Sequence, residues 1–279
     1  MLKRIDADGT TRVSDATPAP SESTNEGLPK KVLLAEDNVV SQQVAKRYLE
    51  AIGCTVMVVE DGAAAVDACA RQEFGLVLMD LQMPKMDGLQ AAQEVRRQER
   101  PGRHVPILAL TAKSASDELA RCTAAGMNGL LTKPLDIARL RQTLDRFGLV
   151  RRTLDLPAMP AAPPGAAANE PVDLMTLQAK FSGDSTFVRR LCQAFITSTT
   201  HSLEELDSAV SAGERTRVRL LAHKIKGGGS GVYAHRLAAI AANIEAEAMT
   251  AAMNEVAAAV DSLRRAFDEA TLHIGSGLP

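Results

Sequence analysis

Five short apolar runs, each followed by a segment of helical periodicity, recur between residues 30 and 148, and no other feature limits the fold of this chain as much. The runs are VLLAE (32–36), TVMVVE (55–60), GLVLMD (75–80), PILALT (106–111) and GLLTK (129–133). The helical segments are 39–52, 62–72, 88–99, 115–125 and 136–147. Strands that are nearly unbroken in Val, Leu and Ile are buried on both faces, as in a parallel sheet covered by helices on each side. Five βα units in succession therefore predict a doubly wound α/β domain. Beyond residue 172 the pattern changes: segments 174–181, 185–211, 215–230, 233–249 and 251–271 are Ala- and Leu-rich, with helical periodicity and no strand signal. Phe187, Leu191, Ala194 and Phe195 share one face, as do Leu237, Ile240, Ala241 and Ile244. Long amphipathic helices with short connections predict an antiparallel bundle. The fold class is α/β plus all-α.

The remaining stretches lack periodicity. Residues 1–29 are rich in Ser, Thr, Asp, Pro and Ala and read as a disordered tail. Residues 149–172 carry Pro157, Pro160, Pro163, Pro164 and Pro171 and read as a semi-extended linker between domains at 30–148 and 173–275. A net charge of −2 gives no electrostatic reason to expect nucleic acid or an anionic membrane as partner. With no Trp, two Tyr and six Phe, base-stacking platforms and aromatic-lined ligand pockets are disfavoured. Cys54, Cys69, Cys122 and Cys192 are widely spaced without a metal-ligand pattern and read as buried thiols in a reducing compartment. No apolar run approaches the ~18 residues of a membrane span, and the N-terminus lacks a signal-peptide core, so a cytoplasmic setting is expected.

In an open α/β sheet, ligands bind outside the carboxyl ends of the strands. Glu36 and Asp37 end the first run, Asp80 the third, Thr111 the fourth and Lys133 the fifth. Three converging carboxylates repel one another unless a cation sits among them, and Mg²⁺ keeping several waters suits such oxygen ligands. Asp37 and Asp80 are candidate direct ligands, Glu36 acts directly or through water, and the backbone carbonyl of Gln82 can add a third protein ligand. Such a site can move a phosphoryl group onto a carboxylate, with Asp80 attacking while Lys133 and the Thr111 hydroxyl bind the oxygens.

These motifs, VLLAEDN, LVLMDLQMPKMDG, ILALTA and LLTKP, resemble those of two-component receiver domains over residues 30–148. The resemblance implies a flavodoxin-like sheet, an acid pair at Glu36 and Asp37, a phosphoacceptor at Asp80, a switch hydroxyl at Thr111, a lysine at Lys133 and a cis bond before Pro134. Leu130 stands where receivers often carry an aromatic residue, so phosphorylation is expected to serve mainly to pass the group on. A phosphatase with an aspartate nucleophile would need a second Asp two residues after it, and Gln82 stands there.

AHKIKGGGSG (222–231) sets His223, Lys224 and Lys226 ahead of four glycines. It follows no strand and has no P-loop spacing, so a phosphate cradle is disfavoured. On a helical wheel, Val218, Leu221, Ala222, Ile225 and Gly229 form a core stripe, while Arg219, His223, Lys226 and Ser230 fall together on a solvent-facing side. Each interior glycine costs a helix about 1 kcal/mol relative to alanine. The run therefore reads as a docking face cleared so that another active site can reach His223, with a hinge as the competing reading. AHKIKGGGSGVYAHRL resembles the signature of histidine-containing phosphotransfer domains over about 173–271, which implies that His223 carries phosphate and Lys226 assists. His104, His201, His235 and His273 read as structural or solvated, the last in a fraying tail.

Together the resemblances imply a phosphorelay intermediate: an upstream histidine kinase phosphorylates Asp80, the group moves to His223, and a downstream response regulator receives it. A flexible linker of ~24 residues spans roughly 25–30 Å and gives a near-millimolar effective concentration, so transfer within one chain is plausible. No ATP-binding kinase segment is present. The chain fits a free-standing relay protein, which its start at Met1 favours, or the C-terminal portion of a hybrid histidine kinase. A binding switch in which His223 never carries phosphate is the alternative from another class.

Overall fold

The computed structural model of the chain describes residues 30–112, 116–150 and 170–278, so the expected tail and most of the expected linker lie outside the described residues. The first unit runs β1 (Lys31–Ala35), α1 (Val39–Ala51), β2 (Thr55–Val59), α2 (Gly62–Arg71), β3 (Leu76–Asp80), α3 (Gly88–Gln98), β4 (Ile107–Thr111), α4 (Ser116–Ala124), β5 (Gly129–Thr132) and α5 (Ile137–Arg146). All strand pairs are parallel, in the order β2-β1-β3-β4-β5. Strand residues alternate between faces. Val32, Leu34, Leu76 and Leu78 therefore join the core under α1 and α5. Leu33, Ala35, Val77 and Met79 join the core under α2, α3 and α4. Helix starts are fixed by side chains at the N-cap: Asn38, Asp61, Asp87 and Asp136 each accept a backbone N–H of the first turn. A cap of this kind is worth about 1 kcal/mol.

The strand order reverses between β1 and β3, which opens a crevice at their carboxyl ends. Glu36 and Asp37 follow β1 there, and Asp80 closes β3.

The second unit contains α6 (Leu174–Lys180), α7 (Ser185–Ser211), α8 (Arg215–Gly231), α9 (His235–Glu247) and α10 (Met253–Gly277). Consecutive helices from α7 to α10 are neighbours and α10 closes back on α7, an up-and-down bundle. Its core includes Phe195, Leu206, Val218, Ile225, Leu237, Ile244 and Leu263. The last helix runs through the segment expected to fray, because Ile274 is buried and Gly277 lies against Leu174.

The two units share one apolar core. The cluster under α1 continues through Val40 and Tyr48 into Phe181, Phe187 and Val188 of the bundle. Leu149, Val150 and Val172, at the ends of the expected linker, are buried as well. No helix among the described residues is long and apolar enough to cross a membrane.

Candidate functional site

Glu36 and Asp80 are almost fully buried at the crevice, 1 % and 2 % exposed. One carboxylate oxygen from each of Glu36, Asp37 and Asp80 lies within 4.8 Å of the others. The Lys133 Nζ bridges two of them, 2.6 Å from Glu36 Oε2 and 2.6 Å from Asp80 Oδ2. The Lys133–Pro134 bond that follows is cis. Burial is the largest influence on Glu36 and pushes its carboxyl up to about 8; Lys133 opposes this, and Asp80 and Asp37 add to it. Burial and the Asp80 carboxylate likewise raise Asp37, against the pull of Lys224, Lys133 and His223. Burial disfavours the Lys133 ammonium, but Glu36 and Asp80 outweigh it and hold the lysine charged.

Three acids crowd one lysine, and burial with neighbouring carboxylates holds Glu36 and Asp37 above the ordinary carboxylate range. The Asp37 Oδ1 is buried with no hydrogen-bond partner. An orphaned carboxylate oxygen between two further carboxylates fits a hard divalent cation with oxygen ligands. The Gln82 N–H donates to Asp80 Oδ1 at 3.2 Å, which turns the β3–α3 loop around the acid. Thr111 lies at the end of β4, and its hydroxyl donates to Glu118 Oε2 of α4 at 2.6 Å.

His223 sits on α8, and one expectation about it needs correction: the ring is not on a solvent-facing side. Its side chain is 13 % exposed because α1 of the first unit lies over this face of the bundle. Nor is it sealed among the helices. It lines a cleft of about 90 Å³ between the units, together with Glu36, Asp37, Lys133, Lys226 and Gly227.

On the bundle side, Glu245 of α9 joins two side chains. Its Oε1 is 2.9 Å from His223 Nδ1, and its Oε2 accepts from Lys226 Nζ at 2.6 Å. Burial works against the Glu245 carboxylate, but these two partners outweigh it and hold its pKa at about 2. A carboxylate only accepts, so His223 Nδ1 carries a proton, and in the neutral ring the lone pair is then on Nε2.

The sequence pattern of the response regulator receiver domain matches residues 32–145, and that of the Hpt domain matches residues 190–271. The chain carries a receiver domain followed by an Hpt domain. A receiver joined to an Hpt domain fits a phosphorelay protein. Among similar proteins, the sensor histidine kinase AruS of Pseudomonas aeruginosa is 39 % identical over 49 % of this chain and 13 % of its own length. The sensor histidine kinase GacS of Pseudomonas protegens is 37 % identical over 48 % of this chain and 15 % of its own. The chain thus spans a small fraction of the curated relatives it matches. A receiver domain of a Pseudomonas aeruginosa sensor histidine kinase, crystallised with a magnesium ion in its active site cleft, is 43 % identical over 42 % of this chain and 95 % of that one, with a TM-score of 0.39.

The receiver docks on the Hpt domain through α1. The Asn38 Nδ2 donates to the Lys224 carbonyl of α8 at 2.6 Å. Gly231 faces Val40, and a Cβ on it would stand 2.6 Å from Val40 Cγ1. Arg47 pairs with Asp184 at 2.9 Å and lies over the Phe187 ring. Tyr48 stacks on Phe181, with centroids 5.9 Å apart.

Sequence reasoning missed Glu245, Glu118 and the α1 contacts. Glu245 lies 22 residues from His223 on a helix with one other glutamate, and no local spacing sets it apart. Asn38 signals a helix cap, which it is, but that signal hides its second bond to the bundle. The other histidines are placed away from the site: His104 contacts Glu99, His201 pairs with Glu205, His235 faces the Tyr233 ring and His273 approaches Glu170.

Proposed function

We propose that this chain relays a phosphoryl group between Asp80 and His223, taking it from a histidine kinase and delivering it to the receiver of a response regulator. The observation that carries the reading is the shared cleft, lined by His223 on one side and by the acids and lysine around Asp80 on the other. In the first step an Asp80 oxygen attacks the phosphorus of the donor's phosphohistidine; an O–P bond forms and the donor N–P bond breaks. In the second step His223 Nε2 attacks that phosphorus, an N–P bond forms, and the Asp80 carboxylate leaves with the bonding pair. Lys133 stays charged beside the leaving carboxylate. Glu245 keeps the proton on Nδ1 and balances the positive charge that develops on the ring, and Lys226 offsets the charge of the attached group.

Asp37, Asp80 and Glu36, with the Gln82 carbonyl, are the residues that would hold Mg²⁺. When bound, the ion supplies charge neutralisation for the phosphoryl oxygens. A second reading, in which these residues act as the receiver–Hpt portion of a hybrid histidine kinase, is supported by relatives that are themselves sensor histidine kinases many times longer than the matched region.

The test is incubation with labelled acetyl phosphate and Mg²⁺, followed by separation of base-stable, acid-labile phosphohistidine from base-labile aspartyl phosphate. Both labels are expected in the unaltered chain, neither in Asp80→Asn, and only the aspartyl label in His223→Gln. Label on His223 of the Asp80→Asn protein, with no other donor present, would refute the scheme.

A further inference from the structure

We infer that α1 clamps the receiver onto the Hpt domain, that the clamp closes His223 to every other receiver, and that onward transfer requires it to open. This rests on the relay reading above.

The clamp is built from contacts that serve neither unit alone. Asn38 already caps α1 with its side-chain oxygen, and spends its amide on the Lys224 carbonyl one residue from His223. Val40 fits against Gly231, where any larger side chain would collide. Arg47 reaches Asp184 and the Phe187 ring together. Tyr48 is 2 % exposed and stacks on Phe181, so a large ring of the receiver is buried by the bundle and by its own helix at once. These contacts run along α1 from its N-cap to its last turn, and they join the apolar cores into one.

His223 pays for this closeness in access. A second receiver must bring its own aspartate to Nε2, and so must present its acidic crevice to the same face of α8. That face is already covered. One Hpt surface therefore serves two receivers in turn, its own and a partner's, and the partner is a receiver whose own α1 can replace this one. In the exit step the partner's aspartate oxygen attacks the phosphorus on Nε2; the O–P bond forms, the N–P bond breaks, and Nε2 recovers its lone pair while Nδ1 keeps its proton.

Access is measured first, on the unphosphorylated full chain, by carbethoxylation with diethyl pyrocarbonate and mass spectrometry. His223 is expected to react several-fold more slowly than His201, whose side chain is 70 % exposed against 13 %. Arg47→Asp sets like charges together and removes the cation over Phe187, and should raise the His223 rate about fivefold. Gly231→Leu, a wedge at the end of α8, should raise it as well. His223 reacting as fast as His201 in the unaltered chain, or neither substitution raising its rate, overturns the inference.

Exit is measured between two full chains. One carries Asp80→Asn and keeps His223; the other carries His223→Gln and keeps Asp80, which is loaded from acetyl phosphate with Mg²⁺. Adding Arg47→Asp to the first opens it without touching its Hpt face, and adding Gly231→Leu to the second opens it without touching its receiver face. The opened pair should pass label to His223 at least about fivefold faster than the parent pair. Equal rates would overturn the clamp. Failure of Asp80 to take label at all would instead refute the relay reading, and the modification rates would still decide whether the clamp exists.

Discussion

Replacing Glu245 by Gln tests the chemistry assigned to His223 more directly than replacing the histidine. The Glu245 carboxylate accepts from Nδ1 at 2.9 Å and holds Lys226 at 2.6 Å. Gln keeps the shape but removes the charge, and its amide can turn its NH₂ towards Nδ1, which would shift the ring proton to Nε2 and block the attacking lone pair. A hydrogen bond to a charged group contributes about 1.5–3 kcal/mol, against about 0.5–1.5 kcal/mol for a neutral one. The carboxylate matters most when the ring becomes cationic on attack, so the barrier should rise by about 1–2 kcal/mol, or roughly 5–30-fold in rate. Rapid-quench measurement of label passing from Asp80 to His223 in the full chain gives that rate. The ¹⁵N shifts of the ring, recorded alongside, show which nitrogen holds the proton. An unchanged rate with an unchanged tautomer would mean that Glu245 only fills space, and a ring proton found on Nε2 in the unaltered chain would remove Nε2 as nucleophile.

Further outcomes follow from the same contacts. Gly229→Ala should lower the melting temperature, because its Cβ would stand 2.7 Å from Leu237 Cδ2, and overpacking of this kind costs about 1–3 kcal/mol against roughly 1 kcal/mol of helix propensity regained. Gly227→Ala, whose nearest neighbour would be Asn38 Nδ2 at 3.4 Å, should leave the melting temperature unchanged or higher. Glu245 has a folded pKa of about 2, below its ordinary 4.5, so its contribution to stability is complete above pH 4.5 and is lost as the pH falls towards 2. Denaturant titrations across that window should show a slope that Glu245→Gln removes, with a ceiling of about 3 kcal/mol. Asp37→Asn should weaken Mg²⁺ binding at least about tenfold by calorimetric titration of the unphosphorylated chain, since it neutralises the carboxylate with the orphaned oxygen; unchanged affinity would remove Asp37 from the metal site.

The sheet was legible because each strand is short, apolar and bounded by a polar end, and a βα repeat allows few topologies. Glu36, Asp37, Asp80 and Lys133 could be placed together from sequence because strand ends in a parallel sheet converge whatever the helices do. Thr111 shows the limit of that argument. Strand geometry places its backbone, but the direction of its hydroxyl depends on Glu118, seven residues on in α4, and no strand rule reaches that far. The surroundings of His223 were illegible for a related reason. Helical periodicity separates core from surface within one bundle, and by that measure residue 223 is outside. It cannot report that another domain lies over the outside, since the covering residues Asn38, Val40, Arg47 and Tyr48 read locally as a cap, a core valine and ordinary helix positions.

The glycine run resolves on the same grounds. A helix that cleared one face for a single visitor would put all its glycines on that face, and this one does not. Gly231 meets Val40 of the receiver, Gly227 lies under Asn38, Gly228 touches both Asn38 and Phe195, and Gly229 points the other way into Leu237 and Ala238 of α9. Two different surfaces thus press on the last turns of α8, one permanent and one supplied by a receiver. The hinge reading fails because the run is continuous helix to Gly231. Only the glycines that face α1 bear on docking, and their substitution should alter the transfer between Asp80 and His223 without loosening the bundle, whereas Gly229 should do the reverse.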